Sequence, residues 1–394
     1  MQPIGNMGDH FNLVGSRQWQ SAVAVSSGTP TADCPCGLLT KFVLERTMTE
    51  PINCPMPHPP GERVLLAHGE GARLTRRLVR DILLEAFDNE FLRPLSDGAL
   101  LPAVAGRLVM TTDSYVVSPL FFPGGDIGKL AVHGTVNDLA VCGAEPLYLS
   151  LGLIIEEGLS LEVLRRVIFS IRDSARQCAV PVVTGDTKVV PRGAADALFV
   201  NTTGIGRMRP GVDLGPHRVR PGDRLLVSGT IGDHGIAVLS AREGLDLGAS
   251  LQSDTAPLCG LVQSLFESGI DVHFLRDPTR GGVSAVLHEV VDATGLSVVL
   301  DEPAVPLSEP VRGACELLGL DPLYVANEGK LLVIAAPEDA ERARGILRQN
   351  AVGAQAAIIG EVANRTPAQV LVRTPLGALR VLDEPTGAPL PRIC

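Results

Sequence analysis

Several features are missing from this 394-residue chain, and each absence narrows what it can be. No apolar run approaches the roughly 20 residues that a membrane span needs, so no membrane partner is expected. The amino-terminus lacks a basic stretch followed by an apolar core. That argues against a signal peptide and for a cytoplasmic setting. A disulfide framework is missing too. The eight cysteines are scattered, and Cys142, Cys178, Cys259 and Cys315 fall inside apolar segments, as reduced, buried thiols do. Positive charge is also short: the net charge of −10 argues against a nucleic-acid backbone as the main partner.

Lysine is nearly absent. Of 34 Lys and Arg residues only four are lysine: Lys41, Lys129, Lys188 and Lys330. Three of these stand in glycine-containing stretches that read as loops, Gly-Gly-Asp-Ile-Gly-Lys129, Gly-Asp-Thr-Lys188 and Asn-Glu-Gly-Lys330. Arginine is a planar fork that stays charged, whereas lysine is a compact, rotatable point charge with an adjustable pKa. The placement suggests sites that need a small ammonium group.

Familiar catalytic signatures are missing as well. The first glycine of a P-loop would fall on Pro123, and its Ser or Thr on Leu130, so Lys129 does not belong to one. Neither a Ser-His-Asp order nor a His-Glu-x-x-His helix occurs.

What is present is ample apolar material, 45% of the chain, and a length that suggests two domains. Residues 1–60 show no sustained period and are expected to be poorly structured. Within them Met48 offers an alternative start, and Cys34, Cys36, Cys54 and His58 could be gathered around zinc, although not with the spacing of a standard finger. From 61 to 209 short strands alternate with helical patterns, beginning with an apolar strand at Val64–Ala67. Residues 210–381 open on a Gly/Pro-rich linker and alternate again. The expected fold class is α/β (α+β), with two layered domains and a flexible tail at 382–394.

The first domain concentrates acids. Asp97, Asp113, Asp126, Asp138 and Asp186 stand in or beside its turns. Carboxylates that converge at strand ends repel one another unless a cation intervenes. Hard oxygen ligands suit Mg²⁺, which commonly bridges nucleotide phosphates. Lys129 and Lys188 would supply further charge, and the glycines would let backbone N–H groups approach. The alternative is that each Asp is a cap or turn former. Glu328, just before a strand, could serve as a base or as a solvated turn acid.

The tail carries Pro385, Pro389, Pro391 and Gly387 before a final Arg-Ile-Cys394. Prolines at this density favour an extended arm that could span about 30 Å, with a nucleophilic thiol at its tip.

Several stretches resemble one family closely. They are Thr-Thr-Asp-Ser-Tyr-Val-Val-Ser-Pro-Leu-Phe-Phe-Pro-Gly-Gly-Asp-Ile-Gly-Lys-Leu-Ala (111–131), Gly-Thr-Val-Asn-Asp-Leu-Ala (134–140), Gly-Asp-Thr-Lys-Val-Val (185–190), Asp-Pro-Thr-Arg-Gly-Gly (277–282), Ala-Asn-Glu-Gly-Lys-Leu (326–331) and the terminal Pro-Arg-Ile-Cys. From about Val64 to Cys394 the chain is similar to the HypE family, carbamoyl dehydratases of nickel–iron hydrogenase maturation. That family lies within the aminoimidazole ribonucleotide synthetase-like ATP-binding superfamily.

The resemblance implies a fold and a reaction. The first domain would bind ATP and Mg²⁺ and form a homodimer through its strands. The carbamoyltransferase HypF would load Cys394, ATP would activate the S-carboxamide oxygen, and loss of phosphate would leave a thiocyanate. The cyano group would pass to iron on the HypC–HypD scaffold. Cys394, Lys188 and Glu328 would be catalytic. Asp113, Lys129, Asn137, Asp138, Asp186 and Thr187 would bind the nucleotide, and Asp97, Asp113, Asp138 and Asp186 the metal. The family often has a second acid before the residue matching Asp97, where this chain has Ser96, and a glycine where it has Ala72. Two other readings remain: a superfamily enzyme acting on a small molecule, or a non-catalytic nucleotide-binding assembly protein.

Overall fold

The computed structural model describes residues 63–245, 247, 250–387, 390 and 392–394. The expectations for residues 1–60, the zinc grouping included, lie outside the described residues.

The first half begins with α1 (Arg73–Leu78), which continues through a π-helical stretch, Val79–Leu84, into α2 (Glu85–Phe87). Then come β1 (Leu108–Tyr115), the two-residue strands β2 (Phe121–Phe122) and β3 (Gly125–Asp126), α3 (Ile127–Val141), β4 (Ala144–Glu156), α4 (Leu161–Gln177), β5 (Val182–Val190) and β6 (Leu198–Met208). β1, β6, β4 and β5 form a four-stranded sheet in that order. Only β4 and β5 are parallel; the other pairs are antiparallel.

One face of this sheet is covered by α3 and α4. α4 is amphipathic and turns Leu164, Val167, Ile168 and Ile171 inward. α3 is rich in small apolar residues and buried on nearly every side, as a helix enclosed by other layers must be. Asp126 caps it, accepting from Gly128 N at 2.8 Å and Lys129 N at 3.1 Å. That acid is a helix cap.

The second half contributes β7 (Arg224–Val227), α5 (Asp233–Glu243), α6 (Cys259–Glu267), β8 (Val272–Arg276), α7 (Gly282–Thr294), β9 (Ser297–Asp301), α8 (Glu309–Leu318), β10 (Leu332–Ala335), α9 (Ala340–Leu347), β11 (Ala357–Ala363), β12 (Val370–Arg373) and β13 (Leu379–Val381). Its seven-stranded sheet runs β13-β12-β9-β11-β7-β10-β8. α3 reaches this half too: Ala140 and Val141 pack with Leu226, Leu258 and Leu261.

Two sequence expectations need correction. Val64–Ala67 is not a strand. Val64 makes a single pair of backbone bonds with the 158–159 loop, and a 3₁₀ turn at Leu66–His68 follows, closed by Leu65 N donating to His68 Nδ1 at 3.0 Å. Gly-Asp-Thr-Lys at 185–188 is not a loop but part of β5, paired with 151–154 of β4. A Cβ on Gly185 would lie 2.4 Å from the Leu151 carbonyl oxygen. The glycine therefore permits the close strand approach.

Candidate active site

The carboxyl-terminal segment lies against both halves. Leu382 N donates to Val370 O at 2.9 Å, and the Tyr324 hydroxyl donates to Asp383 O at 2.8 Å. The final residues reach the first-half core, where Ile393 is buried among Tyr115, Val117 and Leu130. Arg392 pairs with Asp196 at 2.5 Å and donates to Val116 O at 3.2 Å. Its φ of 53° is unusual for a residue with a side chain. Arg242 donates to Ser118 O at 2.8 Å and to Arg392 O at 2.5 Å. His234 Nε2 meets Ile393 O at 3.0 Å, and Val116 N donates to Cys394 O at 3.2 Å.

Docked in this way, the Cys394 thiol is partly buried beside acids. Burial pushes it above the ordinary thiol range, Glu328 and Asp113 push it further, and Arg280 opposes them. Glu328 is 3% exposed. Burial first, then Asp277, Asp254, Asp113 and Asp138, raise its carboxyl well above the usual range. Such a group holds a proton more tightly than a surface acid does.

The Glu328 loop is tightly held. Glu328 N donates to Asp254 Oδ1 at 3.1 Å, and Lys330 Nζ pairs with Asp254 Oδ2 at 3.3 Å. Asn327 accepts from Gly232 N and donates to Pro278 O, both at 2.8 Å. Gly329 must lack a side chain, since a Cβ there would fall 2.0 Å from Asp254 O. Asp277, in the neighbouring loop, is buried and lifted to about 7 by desolvation and by Asp138. Asp138 accepts from the Thr111 hydroxyl at 2.8 Å and is itself raised by burial, then by Asp113.

The single chain thus gathers Cys394, Glu328, Asp113 and Asp138, together with Asp277, Asp254, Arg280 and Lys330, which sequence reasoning did not assign. Asp277 and Arg280 belong to the Asp-Pro-Thr-Arg-Gly-Gly stretch that it did single out. Asp254 and the tail contact His234 carry no comparable local signal.

The other expected residues stand elsewhere. Asp113 is in register with Thr202, Leu151 and Gly185 across the four-stranded sheet. β5 is therefore roughly 14 Å from β1. Thr202 bonds Thr135 of α3 at 2.6 Å and Leu151 is buried, so that row faces the helices. Asp186 and Lys188 occupy the opposite face, paired at 3.3 Å and largely exposed. Thr187 points back to the helix side and lines a cavity of about 220 Å³ with Val79, Leu83, Phe87, Leu151 and Leu153. Ser96 and Gly98 edge the same cavity, and Asp97 between them is exposed. Lys129 donates to Gly124 O at 3.0 Å. Asn137 is fully buried and bonds Ala256 O, Glu328 O and Leu258 N at 3.0, 3.3 and 2.7 Å. Its amide is a strut between α3 and the Glu328 loop. Among the described residues, no three His, Cys, Asp or Glu side chains form a metal-holding group. A larger cavity of about 610 Å³, bounded by Leu300, Arg312, Cys315 and Val372, contains none of these residues.

Known proteins match this layout. Residues 96–208 match the family described as AIR synthase related protein, N-terminal domain, and residues 220–373 match its C-terminal domain. The chain is 50% identical over 331 residues to carbamoyl dehydratase HypE of Azotobacter vinelandii, covering 84% of this chain and 97% of that one. A crystal structure of the hydrogenase maturation protein HypE in complex with ATP superposes with a TM-score of 0.81 at 49% identity, covering 84% of this chain and 99% of that one. A HypE–HypF complex gives 0.69 at 46% identity, covering 78% and 99%.

Proposed function

Because this chain belongs to the HypE carbamoyl dehydratases, whose two domains are those of the AIR synthase related proteins, we propose the following course for its reaction. It is an ATP-dependent dehydratase of hydrogenase maturation. Its substrate is an S-carboxamide on Cys394, and the product is a thiocyanate. The observation that carries this reading is the thiol at the chain's end lying among Glu328, Asp113 and Arg280.

Amide oxygen is a poor leaving group, and transfer of the ATP γ-phosphoryl group to it makes a good one. Carbon–oxygen cleavage then releases phosphate while nitrogen loses both protons, so one ATP is consumed for each water equivalent removed. Glu328 is the base. Its raised proton affinity makes its carboxylate a stronger acceptor for an amide proton than an ordinary surface acid. Arg280 faces the charge that develops at the phosphoryl group, and the buried tail excludes water.

Mg²⁺ fits Asp113 and Asp138. Asp113 adds to the burial that raises the proton affinity of Asp138, and a cation between the two carboxylates would relieve that repulsion. Two carboxylates suffice when phosphates complete the shell. Bound there, the ion would neutralise charge on the transferring phosphate. The apolar cavity beside Thr187 suits the base of the nucleotide. Lys188 is assigned to the phosphates, which would have to pass the edge strand β5 to meet it on the exposed face of the sheet.

Docked, the Cys394 thiol is held protonated and is a poor nucleophile. It must leave to accept a carbamoyl group, which we assign to HypF because a relative 46% identical forms a HypE–HypF complex. The cyano group then goes to iron on HypC–HypD. The exposed face carrying Leu108, Met110 and Ile154, at 57, 71 and 44% exposure, suits a homodimer contact. The two separate sheets support domains at 61–209 and 210–381 with a tail at 382–394. The free thiols among the described residues fit a reducing cytoplasm.

Intact-mass spectrometry tests this reading. With HypF, its carbamoyl donor and ATP, Cys394 should gain a carbamoyl group and then lose one water, with ADP and phosphate formed. A carbamoyl adduct that persists in the presence of ATP overturns the dehydratase assignment.

A further inference from the structure

The reaction proposed above needs a tail that leaves the site and returns to one position, and the inference here rests on that reading. His234 is placed to govern the return. It sits in the first turn of α5 and is completely buried. Phe122 meets its ring edge-on, with centroids 5.5 Å apart. Both nitrogens are engaged: Nδ1 lies 2.8 Å from Ser253 Oγ, and Nε2 lies 3.0 Å from Ile393 O.

These contacts fix the tautomer. A carbonyl oxygen only accepts, so Nε2 carries the proton. Burial holds the ring neutral, its proton affinity lowered despite Asp254 nearby. Nδ1 must then accept, so the Ser253 hydroxyl donates to it. Ser253 is positioned in turn by its N–H on Pro123 O at 2.8 Å and by Thr255 Oγ1 at 2.6 Å. The chain Thr255–Ser253–His234–Ile393 therefore has one direction and ends on the residue before the reactive cysteine. When the tail departs, the Nε2–H of this ring loses the Ile393 carbonyl as its acceptor. An unmade buried hydrogen bond is costly, and this one favours the docked tail.

We propose that His234 is the positioning residue of the tail, its Nε2–H holding the Ile393 carbonyl so that Cys394 re-enters the site in one register. Arg242 and Asp196 grip Arg392, but from partly exposed positions. His234 acts from inside the core.

The test uses the full chain and the rate at which iodoacetamide alkylates Cys394, followed by intact mass after peptide assignment. His234→Ala should alkylate about tenfold faster than the native chain, the factor typical of one lost buried hydrogen bond. His234→Gln keeps an N–H near the Nε2 position and should stay close to the native rate. Equal rates in the native chain and His234→Ala overturn the proposal. So do equally fast Ala and Gln variants, which would mean that the ring acts only by filling space. Should His234→Ala fail to fold, nitrogen-15 NMR of the native chain decides. A slowly exchanging Nε2–H that disappears when Ile393 and Cys394 are deleted supports the latch, and an unchanged signal overturns it. In the HypF-coupled assay His234→Ala should accept carbamoyl at the native rate or faster and dehydrate it more slowly. A native chain that is never carbamoylated would overturn the proposed function and leave the alkylation comparison intact.

Discussion

Asp113 and Lys188 project from opposite faces of one four-stranded sheet, Asp113 toward α3 and Lys188 toward the exposed side. Two residues expected at one phosphate are thus separated by the sheet itself. A role for Lys188 in phosphoryl transfer makes a selective prediction. Lys188→Ala should leave carbamoylation and iodoacetamide labelling of Cys394 unchanged. It should slow dehydration about a hundredfold, the usual effect of removing one charge-stabilising donor. Dehydration at the native rate would remove Lys188 from the mechanism.

Asn137 makes the opposite prediction. Its amide satisfies two carbonyls and the Leu258 N–H, so Asn137→Ala should act through stability. Three buried backbone groups would lose a partner, at about 1–3 kcal/mol for each one left unsatisfied. The melting temperature should fall, while nucleotide affinity of the folded fraction, measured by calorimetry at low temperature, stays unchanged. A native melting temperature with weakened ATP binding would return Asn137 to the nucleotide.

The contrast between these residues marks what was legible in the sequence. Periodicity located α3, α4 and most strands, because burial imposes that period directly. The terminal cysteine and the Asn-Glu-Gly-Lys stretch were legible as chemistry because each is locally unusual. Which face of the sheet a residue occupies was not. Asp186 reads like Asp113 until the pairing of β5 with β4 sets its direction. Asp254 and His234 stayed hidden for a related reason. Their partners, Lys330 and Ile393, are distant in sequence, and no local pattern announces such a contact.

Gly329 ties the fold to the site. A methyl group there would meet Asp254 O at 2.0 Å and Ala256 N at 2.6 Å, both backbone atoms. Gly329→Ala should destabilise the chain by about 1–3 kcal/mol through overpacking. It should also displace Glu328, so dehydration should fall even in the folded fraction. Chemical denaturation and single-turnover rates below the melting transition separate the two effects. Full dehydration activity in that fraction would contradict the claim that this loop sets the base.

Asp277 gives the pH prediction, and its sign follows from proton counting. Its carboxyl rises from an ordinary 3.8 to about 7 in the folded chain, chiefly by burial and then by Asp138. Between those values the folded state holds a proton that the unfolded state has released. Stability therefore falls as pH rises from about 4 to about 7, and this contribution levels off above. Asp277→Asn keeps the shape and cannot ionise, so its melting temperature should depend less steeply on pH across that interval. The variant should also melt above the native chain at pH 8, where the native carboxylate is charged and buried. Melting curves from pH 5 to 8, taken without nucleotide or magnesium, provide the measurement. Parallel profiles for the two proteins would mean that Asp277 is already ionised at pH 5. The acids around Cys394 would then need a standing counter-charge even before ATP arrives.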